Sequence, residues 1–312
     1  MMKRMIPLNL LLGLSILATG NAAAQTEALQ EYSLPGMNVT ALGYEKSNLE
    51  TPADVTVYSG EELKKTGAND VANALKYKAG VYFTQMGPHD QSFITGNSTL
   101  SLRGIKGGTL VLINGVPASF NNVSHLDMMN LDTVEKVEVV KGGGAVLYGS
   151  EAYGGVINVI TKSEYKNSLH IAAGNKGQRD YSAAISAGKL GVTLGRNEMG
   201  ETGILTQKQG TKTINGVKVP YYTGFGDSKK DHLGVSYKFD DKLSFNYMFD
   251  KKKYTIDYLG ADNSKLQHFD YDDREHFAQL HFNDQNGFDA TAYYNERIIR
   301  NPDYYIVRPD NL

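Results

Sequence analysis

The sequence predicts a small α+β domain (a mixed sheet with short helices) followed by the first antiparallel strands of a transmembrane β-barrel. Three observations support this fold class: an N-terminal export signal, helix caps mixed with short apolar runs up to about residue 163, and apolar residues at every second position beyond Ser168. Period-two hairpins joined by short turns are typical of outer-membrane barrels. A soluble β-sandwich or solenoid has the same period, so the alternation alone leaves both folds open.

Residues 1–24 are predicted to be a signal peptide. Lys3 and Arg4 form a positive end, an apolar run follows from Ile6 to Ala18, and small residues up to Ala24 provide a cleavage site. The run is too short for a membrane-spanning helix. Residues 25–50 are polar and are predicted to form an extended periplasmic tether.

The α+β domain is predicted to span residues 51–163. Val55–Tyr58 suits a strand, and Ser59 with Glu62 forms a capping box that opens a helix. A second helix starts at Asn69. Asn114-Gly115 is a tight-turn signal because both residues tolerate positive φ. The remaining predicted strands are Val81–Phe83, Leu100–Arg103, Leu110–Ile113, Val134–Lys141 and Val156–Thr161.

Residues 164–312 are predicted to form the N-terminal portion of the barrel. Asp240-Asp241 marks a turn between two alternating runs. The apolar residues at every second position lie in Tyr181–Ala187, Val192–Leu194, Leu233–Phe239, Leu243–Phe249, Ala278–Phe282 and Phe288–Tyr294.

Composition excludes several classes of function. The chain has 312 residues, and its 32 Lys and Arg against 34 Asp and Glu leave no basic excess for binding nucleic acid. It has no cysteine, which rules out disulfides, thiolate metal sites and cysteine nucleophiles. The seven histidines show no ligand spacing and no nucleophile–base arrangement stands out. We therefore expect no enzyme, no cofactor and no resident metal.

Three stretches of the sequence carry a family resemblance. The first is Thr51–Leu63, with Ala72–Leu75 and Ala79–Val81 soon after it; the second is Leu102-Arg103-Gly104 followed by Leu110–Pro117; the third is Val137–Lys162. In their order and spacing they resemble the plug domain of TonB-dependent outer-membrane receptors of the siderophore and cobalamin type. The resemblance implies a plug that gates a barrel in the outer membrane of a Gram-negative-type envelope.

A TonB box is expected upstream of the plug. The segment Met37, Asn38, Val39, Thr40 and Ala41 has the position and composition of this coupling strand. An extended segment of this kind can add as a strand to the sheet of a partner, here TonB with its inner-membrane energising complex. The alternative is that these are ordinary linker residues.

The resemblance places two plug loops, Gln85–Ser98 and Ala118–Ser124, at the outer mouth of the barrel. Their candidate ligand contacts are Gln85, His89, Asp90, Asn97, Asn121 and Asn122. A few polar groups at such a mouth suit a small-molecule site; the alternative for each is a solvated loop residue. Asp270, Asp272 and Asp273 are interpreted as an acidic loop that is either solvated or holds calcium.

The expected function is energised import of a scarce nutrient, with a ferric siderophore as the leading ligand, so that the cargo is an iron chelate. Cobalamin and heme are the alternatives within the family. A passive porin, an adhesin and a soluble periplasmic binding protein are alternatives from other classes. The expected partners are TonB, the small-molecule ligand and outer-membrane lipid.

The chain also looks short for a complete barrel. Plugged transporters have about 22 strands of about 9–11 residues each, whereas Ser168–Leu312 has room for roughly seven such strands. An open barrel edge would leave backbone groups unpaired in lipid. The sequence therefore predicts a truncated or partial product that cannot function alone.

Overall fold

A computed structural model describes residues 38–39, 46–47, 54–78, 80–84, 99–118, 126–141, 152–204, 208–300 and 304–305. The chain divides into two compact units, Met1–Pro35 and Gly36–Leu312, and all described residues belong to the second. The predicted signal peptide, residues 1–24, lies outside the described residues. None of the helices in the described part of the chain is long and apolar enough to cross a membrane.

The first domain contains short strands and two single-turn helices. It opens with a two-stranded antiparallel ladder, β1 (Asn38–Val39) and β2 (Lys46–Ser47). The elements that follow are β3 (Asp54–Ser59), α1 (Gly60–Lys64), α2 (Val71–Leu75), β4 (Val81–Thr84), β5 (Thr99–Leu102), β6 (Ile105–Lys106), β7 (Thr109–Ile113), β8 (Val116–Pro117), a 3-10 turn (Leu131–Thr133), β9 (Val134–Lys141) and β10 (Gly155–Thr161).

A mixed five-stranded sheet, in the order β3-β9-β10-β7-β8, forms the centre of this domain. Strand β10 pairs parallel with β7 and antiparallel with β9. The apolar face of the sheet buries Val111, Val139 and Ile157 against Leu63 of α1 and Leu75 of α2. Burial of these side chains stabilises the domain, since each contributes about 1.5–3 kcal/mol relative to solvent.

The helix caps follow the sequence signals with one correction. Ser59 accepts the Glu62 backbone N–H at 3.1 Å, as the capping box predicts. The second helix is capped by Asp70, not by Asn69, because the Asp70 carboxylate accepts the Asn73 backbone N–H at 2.8 Å. Asn114 and Gly115 take positive φ at the predicted turn between β7 and β8.

A second, antiparallel sheet begins at Ser168. Its main path follows chain order through seven strands, and β14 (Gly203–Ile204) and β15 (Gly210–Ile214) pair with one of them, β16. The seven strands are β11 (Ser168–Ala173), β12 (Arg179–Ala187), β13 (Leu190–Met199), β16 (Val217–Lys238), β17 (Leu243–Leu259), β18 (Lys265–Asn283) and β19 (Asp289–Arg300), and a short β20 (Tyr304–Tyr305) pairs with β18.

The predicted alternation fixes the two faces of this sheet. Val235, Tyr247 and Ala278 lie side by side across β16, β17 and β18, and the rows on either side are also mainly apolar. Residues of the other parity, such as Lys230 and Lys252, lie on the opposite face and contact the first domain. The apolar face is therefore the outer face, and the face that carries the lysines is the inner face.

Three strands extend well beyond the apolar rows. Strand β16 has 22 residues, β17 has 17 and β18 has 19, against about 9–11 residues for a membrane crossing. The sequence predicted β16 only from Leu233 onward, because its distal half lacks apolar alternation. That half is held by pairing with β14, β15 and β17.

Candidate functional site

The inner face of the strands holds the first domain through ion pairs. Lys230 of β16 contacts Asp70 at 2.9 Å and donates to the Asp127 carbonyl oxygen at 2.7 Å. Lys252 of β17 contacts the Asp127 carboxylate at 2.6 Å. Both carboxylates come from the first domain and both ammonium groups come from neighbouring strands. The two lysines are direct cross-strand partners, so these two carboxylates offset a repulsion between like charges.

The contact between Asp127 and Lys252 is buried. The side chains of Asp127 and Lys252 are 1% and 2% exposed. Burial alone would raise the pKa of Asp127, but Lys252, Arg297 and Lys230 outweigh it and hold the pKa of that carboxyl well below its usual range. Asp127 is therefore ionised at neutral pH. The contact combines specificity with a large cost if either partner is removed.

Local structure places both carboxylates. Asp70 caps α2 with one carboxylate oxygen. Its second carboxylate oxygen accepts both the Asn73 side-chain amide, at 2.7 Å, and the Lys230 ammonium. Asp127 lies in the turn beside Leu126, whose carbonyl accepts the Ala72 backbone N–H at 3.0 Å. Helix α2 and the 126–128 turn therefore present their acidic groups together.

A buried, hydrogen-bonded group centred on His232 lies next to the ion pairs. On the inner face, His232 contacts Asp250 at 2.6 Å and Thr193 at 3.1 Å. All three side chains are buried. A Cβ on Gly195 would lie 2.7 Å from the Asn130 amide nitrogen, so the first domain approaches the strand backbone closely here. These hydrogen-bonded side chains extend the polar part of the inner face along β13, β16 and β17.

An amide and apolar contact completes the interface on the side toward the short turns. The Asn114 amide donates to Gln279 of β18 at 2.9 Å and to Thr161 at 2.8 Å. Met248 and Phe277 of the strands are buried in the hydrophobic core of the first domain. Apolar packing therefore provides the buried area of the contact, and the ion pairs fix how the first domain is positioned along the strands.

On the side of the ion pairs that is farther from the short turns, the inner face becomes aromatic. Tyr254 and Tyr271 stack with ring centroids 4.8 Å apart and an interplanar angle of 7°. They pack with Phe225 and Ile256 in a separate buried cluster. Aromatic side chains offer large apolar contact area with a polar tip. This cluster lies two residues from Lys252 along β17, on the same face.

A second aromatic group continues toward the distal end of the strands. Tyr258 lies 4.9 Å from Tyr221 and 5.3 Å from Phe269 between ring centroids. Lys212 of β15 places its ammonium 4.0 Å above the Tyr258 ring and donates to Gln267. Burial lowers the pKa of Lys212. The inner face thus offers aromatic rings with the Lys212 ammonium among them along the route to the first domain.

The structure does not test the residues predicted for ligand and TonB contacts, and it describes only two of them. Asn38 and Val39 form β1, and Val39 lies opposite Lys46 of β2. Met37, Thr40 and Ala41 lie outside the described residues, as do Gln85, His89, Asp90, Asn97, Asn121 and Asn122. The sequence analysis missed Asp70, Asp127, Lys230 and Lys252. Charged residues at inward positions of an otherwise alternating strand were the available signal.

The predicted acidic loop is wrong. Asp270, Asp272 and Asp273 lie within β18, where alternation sends Asp273 inward and the other two outward. Asp272 accepts from Arg274 at 2.8 Å, and Asp273 accepts from Arg297 at 3.0 Å. The third carboxylate, Asp270, contacts His268 at 3.0 Å. Three carboxylates that are divided between two faces and have separate partners cannot surround one calcium ion.

Comparisons with known proteins agree with this architecture. The TonB-dependent Receptor Plug Domain family matches residues 47–156. The vitamin B12 transporter BtuB of Vibrio cholerae is 28% identical over 247 residues, which are 73% of this chain and 38% of the relative. The hemin receptor of Yersinia enterocolitica is 33% identical over 214 residues, 66% of this chain and 29% of the relative. The chain spans about a third of the length of these relatives.

A solved structure shares the fold. The pyoverdine outer membrane receptor FpvA from Pseudomonas aeruginosa PAO1, bound to pyoverdine, matches with a TM-score of 0.58 at 13% identity, over 84% of this chain and 39% of that chain. A globular α+β domain seated on the inner face of antiparallel strands, with an apolar outer face, defines a plugged outer-membrane barrel. Residues 47–156 form the plug domain of a TonB-dependent receptor, and the chain is similar to outer-membrane receptors of that family over most of its length. The predicted fold class is therefore confirmed.

Proposed function

We propose that the complete receptor imports a ferric siderophore across the outer membrane, using energy that TonB transmits to the plug. The observation that carries this proposal is the contact between plug and strands. Two buried ion pairs and an amide contact hold the plug against the inner face. Such a contact is specific when closed, and breaking it requires work, as an energised gate needs.

The inner face favours an iron chelate as the ligand. Tyr221, Tyr254, Tyr258, Phe269 and Tyr271 line the route above the plug, and Lys212 lies over one of the rings. Aromatic groups with a nearby cation suit a bulky, partly apolar and anionic chelate. Cobalamin and heme remain the alternatives, since one relative is a vitamin B12 transporter and another is a hemin receptor.

The coupling strand is proposed to be Met37–Ala41. Val39 already takes an extended conformation, paired with Lys46. Addition of this strand to TonB would exchange that short ladder for one with the partner. A pull on the strand would then act on β3, which begins at Asp54 and pairs with β9 of the plug sheet.

Uptake by cells that carry the complete gene tests the proposal. Labelled ferric siderophores, cobalamin and heme are supplied to wild type, to Val39→Pro and to the control Val39→Ala. Proline removes a backbone donor, so Val39→Pro is expected to abolish uptake while surface binding persists. Val39→Ala keeps the donor and is expected to retain uptake. Uptake of cobalamin or heme but of no siderophore would overturn the assignment of a siderophore as the ligand. Uptake that is unaffected by Val39→Pro would overturn the assignment of Met37–Ala41 as the coupling strand.

A further inference from the structure

A buried histidine lies between two carboxylates near the distal ends of β17 and β18. The Nδ1 atom of His268 lies 2.5 Å from an oxygen of Asp257, its direct partner on β17. The Nε2 atom lies 3.0 Å from an oxygen of Asp270, two residues further along β18. The side chains of His268 and Asp257 are 11% and 4% exposed. Both ring nitrogens are therefore within hydrogen-bonding distance of a carboxylate.

The two acceptors fix the number of protons on the ring. An ionised carboxylate only accepts hydrogen bonds, whereas a neutral imidazole donates from one nitrogen and carries a lone pair on the other. A neutral His268 would therefore direct a lone pair at one of the two carboxylates. A ring with a proton on each nitrogen satisfies both contacts, and imidazole is a stronger base than a carboxylate. The geometry therefore assigns the additional proton to the ring.

The charges beside the ring favour a second cation. Lys265 of β18 lies 3.3 Å from Asp257 and 2.8 Å from Glu201, which precedes β14. The residue of β16 opposite Asp257 is Gly224, and β20 places Tyr305 opposite His268. Among the described groups beside the ring, the three carboxylates of Glu201, Asp257 and Asp270 thus share one lysine. An imidazolium at His268 brings this group closer to balance.

The charged groups beyond Asp270 leave this count unchanged. Asp270 lines a depression between β12 and β18 that holds three cations and three further carboxylates. These six groups are Arg179, Glu198, Asp227, Lys229, Lys253 and Asp272. Because their charges cancel, they add no net charge near His268.

His232 offers a comparison within the same sheet. Its ring contacts the Asp250 carboxylate at 2.6 Å and the Thr193 hydroxyl at 3.1 Å. A hydroxyl can donate as well as accept, so a neutral ring satisfies both contacts. The requirement for two ring protons is therefore a property of His268 and does not extend to His232.

Loss of the proton from His268 would act on both faces of the sheet. A neutral ring keeps one carboxylate and repels the other, and a buried carboxylate such as Asp257 is poorly screened by water. The neighbours of His268 in β18 point to the inner face, where Gln267 accepts the Lys212 ammonium and Phe269 packs against Tyr258. A change at His268 therefore reaches the distal aromatic group through the adjacent backbone.

We propose that His268 is a proton-dependent clasp between β17 and β18. The clasp is closed when both ring nitrogens carry protons, and it opens as the pH rises through the range in which imidazole side chains titrate. Its pH dependence is opposite to that of the Asp127 contact, which is lost in acid. The clasp is independent of which ligand the receptor imports.

The first test measures the protons on the ring in the complete receptor, purified in neutral detergent. Histidines are labelled with nitrogen-15, and the His268 signals are those missing from the spectrum of His268→Gln. Both ring nitrogens are expected to carry protons at about pH 6, and one proton is expected to leave by about pH 9. A ring with a single proton at about pH 6 overturns the proposal.

Hydrogen exchange of residues 265–271, corrected for its intrinsic pH dependence, tests whether the clasp opens. Wild type is expected to exchange roughly tenfold faster at about pH 9 than at about pH 6, because a charge-assisted hydrogen bond is lost. Asp270→Asn is expected to abolish this rise, since its amide can donate to Nε2 while the Nδ1 proton stays on Asp257. His281→Gln removes a histidine that is 37% exposed at the other end of β18, and it is expected to match wild type.

The variants separate the clasp from other titrating groups. An equal pH dependence in wild type and Asp270→Asn overturns the proposal, as does loss of the pH dependence in His281→Gln. Asp270 is 35% exposed, so Asp270→Asn is expected to fold. If His268→Gln does not fold, the ring signals are assigned from their shift in Asp270→Asn, and the exchange comparison is unaffected.

Discussion

Removal of the Asp127 charge is expected to loosen the plug. Asp127→Asn keeps the shape of the side chain but leaves Lys252, 2% exposed, without its 2.6 Å ion-pair partner. Breaking a buried pair costs about 3–5 kcal/mol. Asp273 lies opposite Lys252 on β18 and offsets part of the loss, so we expect about 3 kcal/mol, the lower end of that range. Plug opening should then be roughly a hundredfold more frequent.

The absence of cysteine allows a direct assay of this opening. Ala74 of α2 is fully buried in the plug core, so Ala74→Cys reacts with a maleimide only when the plug opens. Labelling of the complete receptor is followed across a urea series, with Ala74→Cys placed either in the wild-type background or together with Asp127→Asn. Asp241→Asn is the matched control, because Asp241 is 86% exposed and pairs with Lys238 in a turn.

A double-mutant cycle with Lys252→Met isolates the pair. The coupling energy between Asp127 and Lys252 is expected to exceed about 1.5 kcal/mol, since contacting charges in one network are strongly non-additive. A shift below about 1 kcal/mol for Asp127→Asn, no larger than that of a surface pair, would refute the reasoning. The buried ion pair would then be irrelevant to plug retention.

Two other predictions follow from the same domain. Because the folded-state pKa of Asp127 lies below its unfolded value, the stabilisation is present above about pH 4 and is lost as the pH falls through the folded-state pKa. The urea midpoint of plug unfolding should therefore fall in acid for the wild-type receptor, and a flat profile down to about pH 3 would contradict this. Ser59→Ala removes the cap of α1 and should cost about 1 kcal/mol in plug unfolding, while Ser59→Thr should cost little. An equal effect of the two substitutions would exclude the cap as the cause.

The sequence predicts the plug elements well where local chemistry decides them. The helix N-cap at Ser59, the turn at Asn114-Gly115 and the strand Val134–Lys141 all occur as predicted. The shift of the second cap from Asn69 to Asp70 is a choice between two adjacent capping residues. A tertiary contact favours Asp70 as the cap, since Asp70 also pairs with Lys230 of a strand 160 residues away.

The strands are predictable only where one face meets lipid. Leu233 to Tyr237 alternates and was identified, whereas the distal half of β16 has no lipid-facing side and gave no periodic signal. Asn215-Gly216, where both residues take positive φ, is a further turn signal in the sequence and marks the β15–β16 hairpin.

The plug–strand contacts are beyond local prediction, because they join residues more than a hundred positions apart, as Lys252 and Asp127 do. Inward charges at Lys230, His232, Asp250 and Lys252 were nevertheless visible in the sequence. Charged side chains on the inner face of barrel strands require partners from elsewhere in the chain. That requirement identifies the interface, although it does not identify the partner.

The opposed lysines of β16 and β17 have a consequence for biogenesis. On both faces of these strands, like charges meet at neighbouring rungs of one ladder, at Lys230 and Lys252 inside and at Lys229 and Lys253 outside. Outside, Glu198 and Asp272 of the sheet itself lie 3.8 Å from Lys229 and Lys253. Inside, the carboxylates of Asp70 and Asp127 come from the plug, so a newly inserted hairpin carries the inner repulsion until the plug docks. We therefore expect the hairpin to remain open to proteases in chains whose plug has not docked. Proteases would then remove receptors whose plug has not docked, because this pair of strands stays accessible in them.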